Sequence, residues 1–392
     1  MSRSKKIKII ISIVCISFIQ GLQFCVSPVL GQIQEHYSNV DVSMIQMLIT
    51  APALLSMVVS VACGWLVLKI DKKKLLIFAG MTAGVTGFLP FLADSFWLLF
   101  VARAAYGVAM GLATTLNVAV VAEFFEGDER VSVMGIQAAS VGAGMVVVTT
   151  IGGILGTRGF QNAYFINGIG FIAMLLIAVC LPQTGTAKEK DGGSEKIRLN
   201  QKVFLTSFFG MLEFLFLITF TTNIAMHISG DLAGSTTVSG NLTGVFSGAQ
   251  IVMGMILGIV ARLTKRYTLP AAMLSFSVGG ILLILFPSNL ALLMTGAVFC
   301  GFSQGMFIPT AMVEVSNAVT ASSTAMASAC FSCAMCLGQL ISPTILNTIA
   351  QIVFGETTTT NVYITAVIGM TAAALLAAVW KSQKTADKNN KK

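Results

Sequence analysis

This sequence has few charged residues. Only 10% of its 392 residues are Asp, Glu, Lys or Arg, whereas a soluble domain carries about 25%. Long tracts contain no charged residue at all, and 55% of the chain is hydrophobic. Such a composition excludes a soluble globular protein and indicates an integral membrane protein.

Groups that carry enzyme chemistry are also scarce. The chain has two histidines, and neither is paired with an acid or a cysteine motif, which argues against metal and nucleophilic chemistry. No P-loop pattern is present, so ATP-driven pumping by this chain is not expected. The longest polar stretch is about twenty residues, too short for a soluble sensory domain. We therefore expect no enzyme activity, no metal and no cofactor, and a membrane enzyme or sensor is the least favoured hypothesis.

Long apolar runs are what the sequence does have. Runs of about 20 apolar residues span a membrane as helices, because lipid satisfies no backbone polar group. Twelve such runs predict an all-α integral membrane protein. The predicted spans are 7–31, 43–68, 75–93, 96–123, 132–156, 163–182, 203–229, 238–262, 269–286, 289–315, 323–350 and 361–380.

The basic residues predict the orientation. All of the 24 Lys and Arg residues except Arg103 and Arg158 fall in alternate connecting segments and the termini. The positive-inside rule places those segments, and both termini, in the cytoplasm. The net charge of +8 then faces anionic membrane lipid and needs no nucleic-acid partner. We expect a monomer in a bacterial cytoplasmic membrane.

Two halves are predicted from the polar stretch 183–202 and from a weak repeat. The stretch reads as a flexible cytoplasmic linker between six-helix halves at 1–182 and 203–380, with a basic tail at 381–392. A shift of 194 residues brings glycines of the two halves into coincidence. Six helices per half give both halves the same orientation, so the repeat is a parallel one. The coincident pairs are Gly64 with Gly258, Gly107 with Gly301, Gly111 with Gly305, and Gly144 with Gly338.

Three segments carry a resemblance to a known family. The segment "GWLVLKIDKKK", starting at Gly64, is similar to the cytoplasmic loop pattern of the major facilitator superfamily, although Leu68 stands where the family has aspartate and Asp71 where it has glycine. "RAAYGVAMG", starting at Arg103, is similar to the fourth-helix pattern. "GAGMVVVTTIGG" resembles the fifth-helix pattern associated with export, with Val148 and Thr149 in place of the usual Gly-Pro. The twelve-span drug and metabolite exporters are the nearest subfamilies. The resemblance implies that spans 1, 4, 7 and 10 line a central cavity.

Arg103 is the one basic residue that lies away from the ends of a predicted span. A charge at mid-membrane costs about 2.5–3.5 kcal/mol on insertion scales and faces a bundle interior or a wet cavity. Helical spacing puts Arg103 on one polar stripe with Tyr106, Met110 and Asn117. Arg103 is either a coupling or substrate residue, or a structural arginine bonded to carbonyls or glutamines of span 1, where Gln20 and Gln23 lie.

Glu213 is the one clear acid inside a predicted span. Phe209, Phe216 and Phe220 flank it at helical spacing, and apolar surroundings disfavour the ionised form of a carboxyl. A carboxyl that changes charge between states suits proton coupling, and the rings suit a flat, lipophilic substrate. A rise of about 1.5 Å per residue puts Glu213 at a depth similar to that of Arg103, so the two can pair. The alternative is a glutamate bonded within the packing of span 7.

Further residues are weaker candidates. Polar and aromatic side chains in the second half either line the cavity or join helices to each other; they are Gln250, Gln304, Phe307 and Gln339. The basic loops after spans 2 and 8 are predicted to form a cytoplasmic gate. Its residues are Gly64, Lys69, Lys72, Lys73, Arg262 and Arg266.

The sequence thus predicts a secondary transporter that works by alternating access. In the first hypothesis it exports a small, rather lipophilic organic molecule in exchange for protons, with Glu213 as the titrating group and Arg103 as its counter-charge. In the second hypothesis it is an uptake or exchange carrier for an organic anion, which Arg103 clamps.

Overall fold

The fold is all-helical in the residues that the computed structural model describes, which are 3–125, 127–183, 199–230, 234–319 and 324–389. Most of the predicted linker 183–202 and the end of the tail lie outside these ranges. The α-helices are α1 Arg3–Gly21, α2 Leu30–His36, α3 Val42–Lys69, α4 Lys72–Phe88, α5 Phe96–Phe124, α6 Gly127–Gly156, α7 Ile169–Cys180, α8 Gln201–Gly230, α9 Thr236–Thr264, α10 Thr268–Leu285, α11 Leu290–Ser316, α12 Thr324–Phe354 and α13 Thr359–Asn389.

Eleven helical segments in these ranges are long and apolar enough to cross a membrane. One of them, Thr236–Leu285, is 50 residues long and covers two predicted spans, which α9 and α10 fill on either side of a 3-10 turn at Lys265–Tyr267. Multiple spans of this kind confirm a multi-pass membrane protein. The number of twelve spans stays a prediction.

Polar side chains mark where several helices begin. The Asp41 carboxylate accepts a hydrogen bond from the backbone N–H of Ser43 at 2.8 Å, and Asp71 accepts one from Lys73 at 2.7 Å. Asn289 caps α11 in the same way. Each cap satisfies an N–H group that a helix start leaves without an intrahelical partner.

The chain divides into two compact units. The first comprises Met1–Gly193 and Ile228–Gly244, and the second comprises Ser194–His227 and Val245–Lys392. The predicted halves at 1–182 and 203–380 have not been tested by a separate observation and stay a prediction.

Each unit contains several crossings where two helix backbones nearly touch. A Cβ atom on Gly107 of α5 would lie 2.3 Å from the carbonyl oxygen of Pro52 in α3, and a Cβ atom on Gly301 of α11 would lie 2.1 Å from that of Phe246 in α9. Only glycine allows so close an approach. Both residues of the second contact are 194 positions after those of the first. The contacts one turn further along obey the same offset: Gly111 with Ser56, and Gly305 with Gln250.

The first predicted span is not one continuous α-helix. A 3-10 stretch at Leu22–Val29, with Pro28 near its end, separates α1 from α2. Proline has no backbone N–H and interrupts the regular hydrogen-bond ladder of an α-helix. Inside a membrane, the backbone groups that such a break releases need partners from neighbouring helices.

Candidate functional site

Arg103 supplies hydrogen-bond donors to backbone carbonyls of the 3-10 stretch in the first span and of α3. Its side chain is 2% exposed, and Nε donates to the carbonyl oxygen of Leu48 at 2.8 Å. Pro52, four residues after Leu48, has no N–H, so this carbonyl has no donor within its own helix. The Nη2 group donates to the Gln23 carbonyl and Nη1 to the Leu22 carbonyl at 3.4 Å. Main-chain carbonyls of the first two spans therefore surround the charge, as in the structural alternative.

The rest of the predicted polar stripe also joins α5 to the first span. The Tyr106 hydroxyl donates to the Ile19 carbonyl at 2.5 Å, and its ring centre lies 5.2 Å from the Arg103 guanidinium. Asn117 Nδ2 donates to the Ser17 hydroxyl at 2.9 Å. The structure therefore brings these residues together as a hydrogen-bonded seam.

Two glutamines and a methionine complete this region. Gln20 Nε2 donates to the Ala113 carbonyl at 3.2 Å, and Gln23 Nε2 donates to the Ile49 carbonyl at 3.4 Å. Met110 is half-buried. Both glutamine side chains thus use a nitrogen in contacts between helices, and their predicted role in binding substrate has not been tested.

Glu213 of α8 is the corresponding buried charge site of the second unit. Its side chain is fully buried, and the Ser303 hydroxyl of α11 donates to Oε1 at 2.7 Å. The other oxygen, Oε2, has no hydrogen-bond partner in the described part of the chain. Cys300, one turn before Ser303, is also fully buried. An ionised Glu213 would therefore be held by one donor only.

The three phenylalanines beside Glu213 are buried and face different neighbours. Phe209 packs against Trp380 of α13 with ring centres 5.5 Å apart, and Phe220 stacks on Phe246 of α9 at 5.1 Å. Phe216 lies against Gly369 of α13, where a Cβ atom would come within 2.3 Å of the ring. The rings hold α8 between α9 and α13 and keep the region around Glu213 apolar.

The other candidates of the second unit are buried or half-buried. Gln304 and Gln339 are 7% and 4% exposed, and Phe307 is fully buried. Among the described residues, Oε1 of Gln250, Oε1 of Gln304 and Nε2 of Gln339 have no hydrogen-bond partner. Three of the predicted polar residues thus keep unused hydrogen-bonding capacity.

The predicted gate residues lie at helix ends. Lys72 Nζ, at the start of α4, is 2.6 Å from Glu123 Oε2 at the end of α5. Lys69, Arg262 and Arg266 are exposed and Lys73 is half-buried. Gly64 lies in α3, but its surroundings are outside what the structure describes. Of the predicted gate residues, Lys72 thus forms an ion pair between neighbouring helices of the first unit, and the gate itself stays a prediction.

Two contacts of the second unit were not predicted from the sequence. Ser303 is one of many serines, and nothing in the local sequence links it to an acid 90 residues away. The ion pair of Lys381 with Glu314, in the second unit, joins the first residue of the predicted tail to the end of α11. The sequence signal that could have indicated this ion pair is Glu314 itself, a lone acid at the end of an apolar helix.

A polar cluster lies at the end of the first unit opposite to the Lys72–Glu123 ion pair. The Tyr37 hydroxyl donates to Asp94 Oδ1 at 2.5 Å, and His36 Nε2 lies 2.9 Å from Oδ2. The hydrogen bonds from Tyr37 and then from His36 lower the pKa of Asp94. Burial, and then the hydrogen bond to Asp94, raises the pKa of Tyr37. Phe160 packs beside both rings, so the cluster joins three connecting segments.

The comparisons with known proteins decide the family. The sequence model of the Major Facilitator Superfamily matches residues 10–223 and 203–392, which is nearly the whole chain. The chain belongs to the major facilitator superfamily. This confirms the resemblance, and it makes the protein a membrane transporter and not an enzyme. A comparison with curated protein sequences found no match.

Solved structures of this superfamily share the fold. The crystal structure of a point mutant of the nucleoside transporter NupG is similar with a TM-score of 0.77 and 14% identity, over 94% of this chain and 99% of that one. A bacterial homologue of the human lysosomal transporter Spinster, inward-facing and unoccupied, is similar with a TM-score of 0.75 and 11% identity, over 97% and 96%. At these identities the likeness shows the fold alone. This superfamily transporter works by alternating access, and its nearness to drug exporters stays a prediction.

Proposed function

We propose that this transporter exports a small, rather lipophilic organic molecule in exchange for protons, and that Glu213 carries the proton. The observation that supports this most is the environment of Glu213, a fully buried carboxyl with one hydrogen-bond donor and one unused oxygen. An ionised carboxylate in such surroundings is unstable unless it is paired. A proton or a ligand must therefore accompany Glu213 whenever it is buried in this way.

The transport cycle follows from that requirement. With the site open to water, the carboxylate is hydrated and can exchange its proton. With the site closed, the neutral acid is the stable form, and Ser303 satisfies Oε1. The two halves would rock about this site, and Gln250, Gln304, Phe307 and Gln339 are proposed to line it. Export as the direction rests on the resemblance of "GAGMVVVTTIGG" to the family's export pattern.

The role of Arg103 separates the two hypotheses. A carboxylate clamp needs two N–H groups of the guanidinium that face the substrate together. Here Nε and both Nη groups each donate to a main-chain carbonyl. This occupancy favours the proton-coupled exporter over the organic-anion carrier. Arg103 as the counter-charge of Glu213 remains a proposal, which a double-mutant cycle of unfolding midpoints for Arg103→Gln and Glu213→Gln tests, since paired charges give non-additive losses of stability.

Substrate-driven proton flux in proteoliposomes tests the proposed function. The vesicles are loaded with a pH-sensitive dye and an acidic lumen, and three probes are added in turn: ethidium, adenosine and benzoate. We expect at least one probe to cause proton efflux through the wild type, and the Glu213→Gln variant to abolish it. The matched control is Glu356→Gln, which changes an exposed acid of the same unit and should leave the flux unchanged. Persistent flux in Glu213→Gln, or no flux with any probe, would refute the proposal.

A further inference from the structure

Three glutamines of the second unit form a polar layer beside Glu213. We infer that these glutamines, Gln250, Gln304 and Gln339, bind a primary carboxamide group, so that the transported molecule is a neutral amide. This inference rests on the proposed function and names the substrate class of the same site. It depends on where the three side chains lie and on which of their polar atoms are unpaired.

Contacts of α11 place two of the glutamines next to the acid. Gln304 follows Ser303, whose hydroxyl donates to Glu213 Oε1 at 2.7 Å. The next residue, Gly305, lies against α9, since a Cβ atom on it would be 2.4 Å from the carbonyl oxygen of Gln250. Gln304 is therefore one residue away from the contact with α8 and one residue away from the contact with Gln250.

Gln339 of α12 lies at the same level of the unit. A Cβ atom on Gly338 would be 2.1 Å from the carbonyl oxygen of Met211 in α8. One turn later, the Ser342 hydroxyl donates to the carbonyl oxygen of Leu215 at 2.5 Å. These two α8 residues come two positions before and two positions after the buried acid, so Gln339, which follows Gly338, is level with the carboxyl group.

The layer has two unused acceptors and one unused donor. Oε1 of Gln250, Oε1 of Gln304 and Nε2 of Gln339 are buried and have no hydrogen-bond partner in the described chain. A glutamine that only joins helices uses its amide for that purpose, as Gln20 and Gln23 use Nε2 in the first unit. Because buried polar groups are almost always paired, three unpaired amide atoms at one level indicate a ligand.

A primary carboxamide matches this set of atoms. It offers two N–H groups for the two oxygens and one carbonyl oxygen for the nitrogen. A protonated amine has no acceptor for Nε2 of Gln339, and a carboxylate has no donor for either oxygen. Oε2 of Glu213 carries the proton in the proposed function and is not part of the set. The three atoms are buried in this conformation, so the ligand reaches them when the site opens during the transport cycle.

Three probes on one ring system test the substrate class. Naphthalene-2-carboxamide and 2-acetylnaphthalene are neutral and nearly identical in shape, because an NH2 group in the first replaces a methyl group in the second. Naphthalen-2-ylmethylamine carries a positive charge and no carbonyl group. Each probe is titrated against the purified full-length protein in detergent, and its Kd is obtained from the rise of the thermal unfolding midpoint. We expect the carboxamide to bind at least about tenfold more tightly than the ketone, the order of two hydrogen bonds between neutral groups, and more tightly than the amine.

Two variants separate the acceptors from the donor. Gln304→Met removes one acceptor, so it should weaken the carboxamide alone and reduce its preference over the ketone to about threefold or less. Gln339→Met removes the donor to the carbonyl group, which both probes have, so it should weaken both by a similar factor and keep their ratio. The matched control is Gln351→Met, which changes an exposed glutamine of α12 whose Nε2 donates to the Gly355 carbonyl at 2.8 Å, and it should change neither affinity.

Both layer variants should stay folded, because methionine replaces a buried amide that has an unpaired atom with an apolar side chain of similar length. If Gln304→Met does not fold, the probe series on the wild type still decides. The inference is overturned if the ketone binds as tightly as the carboxamide, if the amine binds more tightly, if no probe binds, or if a folded Gln304→Met variant keeps the full preference.

The outcome also separates this inference from the proposed function. If proton flux depends on Glu213 but the carboxamide has no preference over the ketone, the exporter mechanism stands and the substrate class is wrong. If the carboxamide is preferred through Gln304 but Glu213→Gln leaves proton flux intact, the substrate class stands and proton coupling at Glu213 is wrong.

Discussion

The guanidinium of Arg103 donates a 2.8 Å hydrogen bond to the carbonyl oxygen of Leu48, the oxygen that Pro52 leaves without a helical donor. Arg103 of α5 thus donates to a carbonyl oxygen of α3 that has no donor within its own helix. The other N–H groups of Arg103 contact carbonyls in the 3-10 stretch at Leu22–Val29. The charge that stood out in an apolar sequence is surrounded by the negative ends of backbone dipoles.

Replacing Arg103 by glutamine should lower the thermal unfolding midpoint in detergent. Three carbonyl oxygens would lose a donor, and each buried group left unsatisfied costs about 1–3 kcal/mol. Arg103→Lys should fall between the wild type and Arg103→Gln, because an ammonium group keeps the charge without the planar fork. A midpoint for Arg103→Gln equal to that of the wild type would show that these bonds do not stabilise the protein.

Pro52→Ala should reduce the cost of losing Arg103. Alanine returns an N–H that can donate to the Leu48 carbonyl, so Arg103→Gln would then leave one fewer carbonyl without a donor. Unfolding midpoints of the two single variants and the double variant form a double-mutant cycle. Strict additivity would mean that the Leu48 carbonyl does not link the two residues.

Gly301→Ala should destabilise the second unit by about 1–3 kcal/mol, the usual cost of overpacking. Its Cβ would lie 2.1 Å from the Phe246 carbonyl oxygen, so α9 and α11 must separate. Gly254→Ala is the matched control, because a Cβ there meets nothing within 4 Å and alanine favours helix. We expect a lower unfolding midpoint for the first variant only; equal midpoints would contradict the close crossing.

The Lys72–Glu123 pair should show charge-specific coupling. Its side chains are only 14% and 27% exposed, so screening is weaker than for a surface pair. Lys72→Glu and Glu123→Lys should each lower the unfolding midpoint, and the charge-swapped double variant should recover most of the loss. If the pair gates transport, proton flux with a responsive probe should follow the same order, and a swap that restores neither quantity would count against the gate.

The Asp94 cluster should stabilise the protein above acidic pH. Because the folded-state pKa of Asp94 is lowered from 3.8, its contribution is full above that value and disappears as the pH falls through the folded pKa. Because the pKa of Tyr37 is raised from 10.0, its contribution is full below pH 10.0 and is lost at higher pH. Unfolding midpoints against pH should decline on the acid side more steeply for the wild type than for Asp94→Asn; parallel profiles would contradict the assignment.

The sequence predicted the membrane class and the family because both depend on composition and on local glycine and arginine patterns. The offset of 194 residues was visible as coincident glycines, and the contacts of Gly107 and Gly301 with Pro52 and Phe246 follow the same offset. The two crossings are thus equivalent in sequence, and each needs a small residue at the contact; the parallel repeat stays a prediction.

Other features of the site could not be predicted from the sequence. The polar stripe of α5 was predictable from spacing, but the acceptors of Arg103 are main-chain carbonyls, which every residue has. Ser303 could not be linked to Glu213 because serines in membrane helices usually bond their own backbone. The phenylalanines around Glu213 were predicted to face a substrate, yet Phe209 and Phe220 pack on Trp380 and Phe246, because an aromatic ring packs equally well against protein or ligand.

The hydrogen bond between Arg103 and Leu48 also determines the order in which Pro52 and Arg103 can be replaced during evolution without loss of stability. A carbonyl oxygen has two lone pairs, so a lineage that replaces Pro52 first gains a second donor and loses nothing at Leu48. A lineage that replaces Arg103 first leaves a buried oxygen unsatisfied until Pro52 changes as well. Replacing Pro52 before Arg103 therefore costs less stability than replacing the two residues in the reverse order.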